Sequence, residues 1–283
     1  MSAEPKGRFP ASGSPAAERT AGGVRTMFDR VAPRYDLTNT VISLGQDRGW
    51  RTSAARATRL APGETAIDIA CGTGALTRTL ARLEPNAHVI GADFAWEMVR
   101  RAPRERGAKG VNPASEMVRR APRERGAGGV NSAIEMVRRA PRERGVKVAY
   151  LAGDATRLPL PNESADVITI AFGLRNLPDP DAGLREFRRV LRPGGRLVIC
   201  EFSTPTAPVF STVYDRYLSK LIPVAAKAVS SDSEAYAYLA RSIDAWPDQP
   251  GLARRMRRAG FVDVAWRNLT GGVVALHRGM VTG

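Results

Sequence analysis

The chain has 283 residues, 43% hydrophobic and 25% charged, which is enough for one large α/β domain with a buried core or for two small domains. It holds no apolar run near the roughly 18 residues of a membrane-spanning helix, no apolar signal segment at its N-terminus and no Cys/His/Asp cluster with metal spacing, so we expect a cytoplasmic protein without a metal site. The net charge of +15 favours an anionic partner, either nucleic acid or an anionic membrane surface.

Two segments are predicted to lie outside the folded core. Residues 1–23 are rich in Pro, Gly, Ser and Ala and are expected to form a disordered tail, which leaves residues 24–283 as the folded domain. Residues 97–115 and 116–134 are near-identical copies of one unit that begins EMVRRAPRERG, and a partial third copy follows them. Because the unit is too short and polar for a stacked solenoid, we predict a 19-residue tandem duplication at about 97–134. This insert is either an inert surface excursion or a basic arm.

Short apolar runs alternate with helical segments along the rest of the chain. Seven strands are predicted, at Thr65–Ala70, Ala87–Ala92, Val146–Leu151, Asp166–Ala171, Gly195–Glu201, Phe261–Asn268 and Gly272–His277. Helices are expected between the first five strands, for example over Asp179–Leu191, and this alternation predicts a mostly parallel sheet with helices on both faces. A gap of hairpin length separates the last two strands, so the last strand is predicted to run antiparallel at that edge of the sheet.

The first strand leads into a glycine-rich loop with the sequence DIACGTG, which begins at Asp68. Gly72 and Gly74 permit a tight turn and a close approach of a ligand to the backbone. Asp93 ends the second strand and Asp154 follows the third, so three carboxylates are expected at one edge of the sheet. A carboxylate at position 93 is placed to accept hydrogen bonds from the ribose hydroxyls of an adenosine ligand, and one at position 154 to reach the adenine.

Two classes of adenosine cofactor use such a layout. Dinucleotides need a third glycine three residues after the second, because the pyrophosphate lies against the N-terminus of the following helix. That position is Thr77 here, so the dinucleotide fingerprint is incomplete. S-adenosylmethionine has no phosphate and does not need this glycine, so it is the predicted cofactor. The alternative is a structural glycine turn with aspartates that cap helices.

Longer strings, well away from this loop, make the chain similar to the demethylmenaquinone and ubiquinone-precursor C-methyltransferases from about Val24 to Gly279, apart from the insert. The strings are MFDRVAPRYDLTN (27–39), SLGQDRGWR (43–51), DIACGTG (68–74), FGLRNLPD (172–179), LRPGGRLVICEFSTP (191–205), SEAYAYLARSI (233–243) and NLTGGVVALHRG (268–279). The resemblance implies a class I methyltransferase (Rossmann-like) fold, S-adenosylmethionine as methyl donor and a polyprenylated quinol as acceptor. Residues 230–250 resemble the actinobacterial naphthoquinol enzymes most, so methylation of demethylmenaquinol in menaquinone biosynthesis is expected ahead of a benzoquinol.

The resemblance also assigns cofactor contacts by position. It implies that Thr73, Asp93, Asp154 and Ala155 contact the cofactor, beside the loop residues already named. Many family members have Asp directly after the GTG of the loop, whereas this chain has Ala75. This difference concerns the methionine end of the cofactor.

For the acceptor, the resemblance implies Arg175 and Asn176 of the FGLRN string as site residues, with Tyr35 of the PRYD string closing over them. Methylation of a ring carbon is assisted by a deprotonated hydroxyl beside that carbon. We expect Arg175 to stabilise the developing phenolate and Asn176 to orient it by hydrogen bonding. An arginine of ordinary pKa is not a base. His277 is a candidate proton acceptor, for which a structural role is the favoured alternative.

The expected partners follow from the acceptor and the charge. Residues 207–229 place aromatic and apolar side chains on one helical face, which fits either core packing or a lid for an isoprenoid tail. A polyprenylated quinol lies in the membrane, so transient contact with the anionic inner face of the cell membrane is expected, and a homodimer is compatible with the sequence. The alternatives are another small-molecule methyltransferase and an RNA methyltransferase or nucleic-acid binder. No nucleic acid is expected, because residues 97–145 contain no aromatic side chain for base stacking.

Overall fold

The computed structural model describes residue 43 and residues 45–95, 147–206 and 233–283. Four features named above lie outside the described residues: the predicted tail, Tyr35, the predicted repeat insert, and the segment 207–229, for which core packing and a lid were the alternatives. The described elements are, in chain order, α1 (Asp47–Ala57), β1 (Thr65–Ile69), α2 (Ala75–Leu83), β2 (His88–Asp93), β3 (Lys147–Ala152), β4 (Ala165–Ala171), α3 (Pro180–Val190), β5 (Leu191–Phe202), α4 (Ser233–Asp244), α5 (Gln249–Arg258), β6 (Val262–Leu269) and β7 (Val274–Met280).

The seven strands form one sheet in the order β3-β2-β1-β4-β5-β7-β6. The pairs from β3 to β5 are all parallel, and β7 is antiparallel to both of its neighbours. The predicted sheet is therefore confirmed, including its antiparallel last strand. Its edge differs from the prediction: β7 folds back between β5 and β6, so β6 forms that edge of the sheet.

Helices cover both faces of the sheet, as predicted, and bury a separate apolar cluster on each. Side chains of α3 and α5, among them Leu184, Phe187 and Met256, pack with one face of the parallel strands. Side chains of α1, α2 and α4, among them Trp50 and Leu80, pack with the opposite face. β1 is buried along its whole length, which is typical of a central parallel strand covered on both sides.

Helix α3 shows how local sequence sets an element boundary. The side chain of Asp179 accepts a hydrogen bond from the backbone N–H of Ala182 at 2.9 Å, and Pro180 occupies the first helical position. Both are strong helix-start signals, because the cap satisfies a free N–H and proline has none to satisfy. The helix predicted over Asp179–Leu191 is thus confirmed to within one residue at each end.

Two connections differ from the predictions. The expected helix between β3 and β4 is absent: the described residues 153–164 form turns, with an isolated bridge between Asp154 and Arg157. Pro159 and Pro161 explain the difference, because each removes a helical N–H donor. The other difference is at the start of β5, which was predicted to begin at Gly195 and begins at Leu191. Its register with β4 shifts where the Pro-Gly-Gly segment bulges out.

The strand order reverses between β1 and β4. β2 and β3 lie on one side of this point, and β5 lies on the other. In open α/β sheets, ligands bind in the crevice outside the carboxyl ends of the strands at such a reversal. The loops that follow β1 and β4 are therefore the place where this fold would bind a ligand.

Candidate active site

A cleft lies at the point where the strand order reverses. Its lining includes the loop after β1, from Asp68 to Thr73, and the end of β4 with Arg175 from the turn that follows. Helix α1 contributes Trp50, and Phe202 at the end of β5 contributes a second ring. The glycine-rich loop and the FGLRN segment, about a hundred residues apart in the sequence, thus line one cleft.

The glycine-rich loop is held to the neighbouring strand by its own backbone. The N–H of Gly72 donates to Oδ2 of Asp93 at 2.8 Å, and Oδ1 of Asp93 accepts from the N–H of Ala95 at 2.8 Å. Gly74 has φ of +81°, and a Cβ at this position would overlap the hydroxyl of Tyr150. The turn therefore requires glycine both for its left-handed backbone and for the space that the tyrosine ring occupies.

Asp68 lies beneath this loop and is 1% exposed. The hydroxyls of Thr77 and Thr169 donate to its two carboxylate oxygens at 2.7 and 3.0 Å. Burial raises the pKa of Asp68 to about 6, although the two hydroxyl donors partly oppose that rise. Thr77, which replaces the third glycine of a dinucleotide site, thus fixes a buried acid at the floor of the cleft.

The other predicted cofactor residues lie at the same edge of the sheet but outside the lining of this cleft. The N–H of Gly153 donates to the backbone oxygen of Asp93 at 3.0 Å, which places Asp154 beside Asp93. Asp154 is exposed, and its carboxylate accepts from the N–H of Thr156 at 2.8 Å. Ala155 is buried in the core. The roles of Asp93, Asp154 and Ala155 as cofactor contacts stay predictions.

The guanidinium of Arg175 forms a buried ion pair with Glu201. Nη1 donates to Oε1 of Glu201 at 2.8 Å and to the backbone oxygen of Phe172 at 2.6 Å, and Nε lies 3.4 Å from the hydroxyl of Ser242. Nη2 makes no hydrogen bond to any of the described residues. Arg175 as a whole is one of the residues that line the cleft.

Asn176 is held close to the same backbone oxygen. Its Nδ2 donates to the oxygen of Phe172 at 3.2 Å, and its Oδ1 accepts from the hydroxyl of Tyr238 at 3.3 Å. Asn176 is not among the described residues that line the cleft. Its expected hydrogen bond to an acceptor stays a prediction.

Three aromatic rings form one wall of the cleft. The ring of Trp50 lies 5.8 Å from that of Phe172 and 6.3 Å from that of Phe202, and the two phenyl centroids are 5.1 Å apart. Cζ of Arg175 lies 5.1 Å from the centre of the Phe202 ring, which is a cation–π distance. Phe172 has φ of +58°, an uncommon conformation for a bulky residue and one that clusters at functional sites.

His277 lies away from these groups. It is 1% exposed, its Nε2 is 2.9 Å from the backbone oxygen of Gln249, and its ring stacks on Trp266 at 6.0 Å. Burial lowers the pKa of His277, which favours the neutral ring. These contacts fit the structural role.

The structure therefore brings Asp68, Gly72, Thr73 and Arg175 together in one cleft. Glu201 and the aromatic wall were not predicted from the sequence. A signal for Glu201 was available, because an acidic residue near the end of an apolar strand is costly to bury without a partner. No metal-binding group of three or more His, Cys, Asp or Glu side chains occurs within the described ranges. Within the same ranges, no helix has both the length and the apolar character to cross a membrane.

Comparison with known sequences identifies relatives along almost the whole chain. A family model described as the ubiE/COQ5 methyltransferase family matches residues 16–121 and 130–281. The demethylmenaquinone methyltransferase of Mycobacterium marinum is 47% identical, over 93% of this chain and 96% of its own length. The enzymes of the same name from Mycolicibacterium gilvum and Mycobacterium bovis are 48% and 44% identical, each over more than 90% of both chains.

Comparison with solved structures identifies more distant proteins of the same fold. An S-adenosylmethionine-dependent methyltransferase from Thermotoga maritima has a TM-score of 0.57 at 17% identity and covers 91% of this chain and 99% of its own. A phosphoethanolamine N-methyltransferase from Haemonchus contortus has a TM-score of 0.56 at 12% identity, over 92% of this chain and 60% of its own. At these identities the likeness concerns the fold alone, which is the Rossmann-like fold of class I methyltransferases.

Proposed function

The chain belongs to the ubiE/COQ5 methyltransferase family, and on that premise we propose that it methylates a ring carbon of a polyprenylated quinol with S-adenosylmethionine as the donor. The acceptor is demethylmenaquinol, which the reaction converts to menaquinol in menaquinone biosynthesis. The observation that carries this proposal is the near-half identity to actinobacterial demethylmenaquinone methyltransferases over more than 90% of both chains.

The residues of the cleft fit the cofactor. S-adenosylmethionine carries positive charge on its sulfonium and ammonium groups, and Asp68 places a buried carboxylate on the floor of the cleft. The loop from Gly72 to Gly74 offers backbone at close range, since glycine carries no side chain. Asp93 would hold the ribose, and Asp154 and Ala155 would hold the adenine side.

When bound, the cofactor supplies an activated methyl group, so the protein must mainly align the acceptor carbon and exclude water. Arg175 would donate a hydrogen bond from Nη2 to the oxygen of the quinol as it loses its proton. Because Glu201 already neutralises the guanidinium, this nitrogen acts as a directed donor at a nearly neutral pair rather than as a free cation. Asn176 donates to the same backbone oxygen as Arg175, that of Phe172. From there it would orient the quinol oxygen by a hydrogen bond, and Tyr35 would close over the acceptor.

The acceptor also determines where the protein works. A polyprenylated quinol resides in the bilayer, so the enzyme visits the inner face of the cell membrane as a peripheral protein. The net charge of +15 supports attraction to anionic lipids. The segment 207–229, with its predicted apolar and aromatic helical face, would receive part of the isoprenoid tail. Two copies of the chain in a homodimer would be compatible with this arrangement.

The proposal is tested by methyl transfer with the purified protein. Demethylmenaquinol and a 2-polyprenyl benzoquinol precursor are each supplied in detergent with S-adenosylmethionine, and the products are identified by mass spectrometry. We expect the naphthoquinol to gain one methyl group on its ring and to react faster than the benzoquinol. Faster methylation of the benzoquinol would overturn the choice of acceptor. No transfer to either quinol by a protein that binds S-adenosylmethionine would overturn the proposed function.

A further inference from the structure

The NLTGG segment forms a strained turn between β6 and β7. Thr270 has φ of +47°, and Gly271 and Gly272 follow with φ of +65° and +96°. Glycine adopts the left-handed conformation freely, whereas a β-branched residue does so only where the surrounding structure imposes it. Glycine would make the same turn with less strain, which raises the question of what the threonine side chain contributes that glycine lacks.

The contribution is a hydrogen bond to the aromatic wall. The indole Nε1 of Trp50 donates to Oγ1 of Thr270 at 2.9 Å, across 220 positions of sequence. Trp50 is 6% exposed, so the hydroxyl satisfies a donor that is largely removed from water.

The rest of the turn is anchored as well. The N–H of Thr206 donates to the backbone oxygen of Gly271 at 3.0 Å. A Cβ at Gly272 would lie 2.9 Å from the nitrogen of Thr206, so only glycine fits against that segment. The turn that carries the hydroxyl of Thr270 is therefore held in place by its contacts with Thr206.

Trp50 connects this turn to the cleft. Its ring packs against Phe172 and Phe202, and the latter lies beneath the guanidinium of Arg175. All four side chains line the cleft. Flat aromatic rings interact favourably with other rings in offset or edge-to-face geometry, which makes this wall suited to a quinol ring.

We infer that Thr270 is a positioning residue for the acceptor, whose hydroxyl fixes Trp50 so that the wall of Trp50, Phe172 and Phe202 can receive the aromatic ring of the quinol. The inference rests on the proposed function and deepens it. It gives the NLTGG turn, which lies outside the cofactor loop, a role in acceptor affinity that is separate from cofactor binding.

The test compares Thr270→Val, which keeps the shape but removes the hydroxyl, with Thr270→Ser, which keeps it. We expect Thr270→Val to raise the KM for the quinol roughly three- to five-fold, with a smaller change in kcat and an unchanged Kd for S-adenosylmethionine measured by calorimetry. Thr270→Ser should stay near the wild type. Thr52→Val is the matched control, since among the described residues its hydroxyl donates to the backbone of its own helix at Arg48 and not to the aromatic wall.

A double-mutant cycle isolates the hydrogen bond. Trp50→Phe keeps an aromatic ring and removes the donor, and it leaves the turn intact if Thr270→Val fails to fold. We expect the double variant to raise the KM by less than the product of the two single effects, because both changes remove the same interaction. Multiplicative effects, or an unchanged KM in folded Thr270→Val, would overturn the inference. If the wild type methylates no quinol, the proposed function fails instead, so the two failures are distinguishable.

Discussion

At the scale of single residues, Asp68 has the most informative environment. It is buried and accepts hydrogen bonds from two threonines, yet burial still raises its pKa from an ordinary 3.8 to about 6. Between these two values the folded protein retains a proton that the unfolded chain has lost. The contribution of Asp68 to stability is therefore greatest at low pH and declines as the pH rises through this window.

The first prediction concerns Asp68→Asn, which cannot ionise. Relative to the wild type, the variant should gain stability between pH 4 and pH 7, by roughly 2–3 kcal/mol, because a shift of one pKa unit corresponds to about 1.36 kcal/mol. Urea unfolding at both pH values measures the difference. An identical pH dependence in the two proteins would show that Asp68 titrates normally. The variant should also bind S-adenosylmethionine more weakly at a pH of about 7.5, well above the raised pKa, since the cleft loses its buried negative charge.

Arg175 gives the second prediction at this scale. Lysine at this position retains a cation for Glu201, but its compact ammonium lacks the planar fork by which arginine places one nitrogen on Glu201 and directs a second one elsewhere. We expect Arg175→Lys to lower kcat about 100-fold, the usual effect of losing one donor to a developing oxyanion, while the affinity for S-adenosylmethionine stays nearly intact. Arg175→Ala should lose turnover as well, with an added loss of stability from the unpaired Glu201.

Arg185→Lys provides the control for this substitution. The Arg185 side chain is 62% exposed, and its ion pair with Asp179 at 3.8 Å is a surface pair of little consequence. The Arg185→Lys substitution should leave both kcat and cofactor affinity unchanged. Equal losses of turnover and cofactor affinity in Arg175→Lys would contradict the role of Arg175 in acceptor chemistry.

At the scale of secondary-structure elements, the glycine of β2 supports the cofactor loop from below. A Cβ at Gly91 would lie 2.7 Å from Cδ1 of Tyr150 and 3.0 Å from Sγ of Cys71. Gly91→Ala should therefore cost about 1–3 kcal/mol in the free energy of unfolding, because the tyrosine beneath the loop must move. Tyr150→Leu in the same chain should recover part of the loss.

Gly49→Ala is the matched control for this prediction. Gly49 lies in α1, and no atom of the described part of the chain would come within 4 Å of its added Cβ. Alanine there should stabilise the protein by up to roughly 0.5–1 kcal/mol, since glycine is a poorer helix former than alanine. Chemical denaturation of the two variants should give changes of opposite sign, and a destabilised Gly49→Ala would contradict the packing described for α1.

Most elements were predictable because their signals are local. Apolar runs marked the buried strands, and Asp179 with Pro180 marked the start of α3. The connection between β3 and β4 was predicted wrongly, since the alternation of strands and helices was extended across a segment with two prolines. The place of β7 inside the sheet was not predictable from hairpin spacing alone, because that spacing fixes direction and not the neighbour on the other side.

The candidate site, too, was predictable from the sequence only in part. Asp68 and Gly72 were predicted from one continuous loop, and Thr73 and Arg175 from the resemblance. The aromatic wall was missed because Trp50, on α1, contacts rings at the ends of two neighbouring strands, β4 and β5, that lie more than a hundred residues further along the sequence. The spacing of these residues along the sequence does not indicate that contact.

At the scale of the whole molecule, the charge is the feature that the fold does not explain. The predicted insert at 97–134 holds nine Lys/Arg and four Glu, so it accounts for +5 of the net charge of +15. The gap in the family match, residues 122–129, falls within this predicted insert. β2 and β3 pair in continuous parallel register on either side of it.

Deleting residues 97–134 tests the insert, since the deletion joins Trp96 to Glu135 at a repeat boundary. We expect the shortened protein to fold and to methylate quinol in detergent at a rate near the wild type, because the sheet continues without the insert. Co-sedimentation with vesicles containing anionic lipid should weaken, as the net charge falls from +15 to +10 with the loss of nine Lys/Arg and four Glu. Unchanged vesicle binding would show that the insert is an inert surface excursion and not a basic arm. Loss of activity in detergent would contradict the prediction that the insert is a duplication added to a complete domain.

The most direct test of the central claim, methylation of demethylmenaquinol, is made in a cell. A menaquinone-producing bacterial strain without its demethylmenaquinone methyltransferase receives this chain or its Arg175→Lys variant, and the extracted quinones are measured by mass spectrometry. We predict that the wild-type chain restores menaquinone and depletes demethylmenaquinone, while the variant leaves demethylmenaquinone in place. Persistence of demethylmenaquinone in cells that contain the folded wild-type protein would contradict the proposed function.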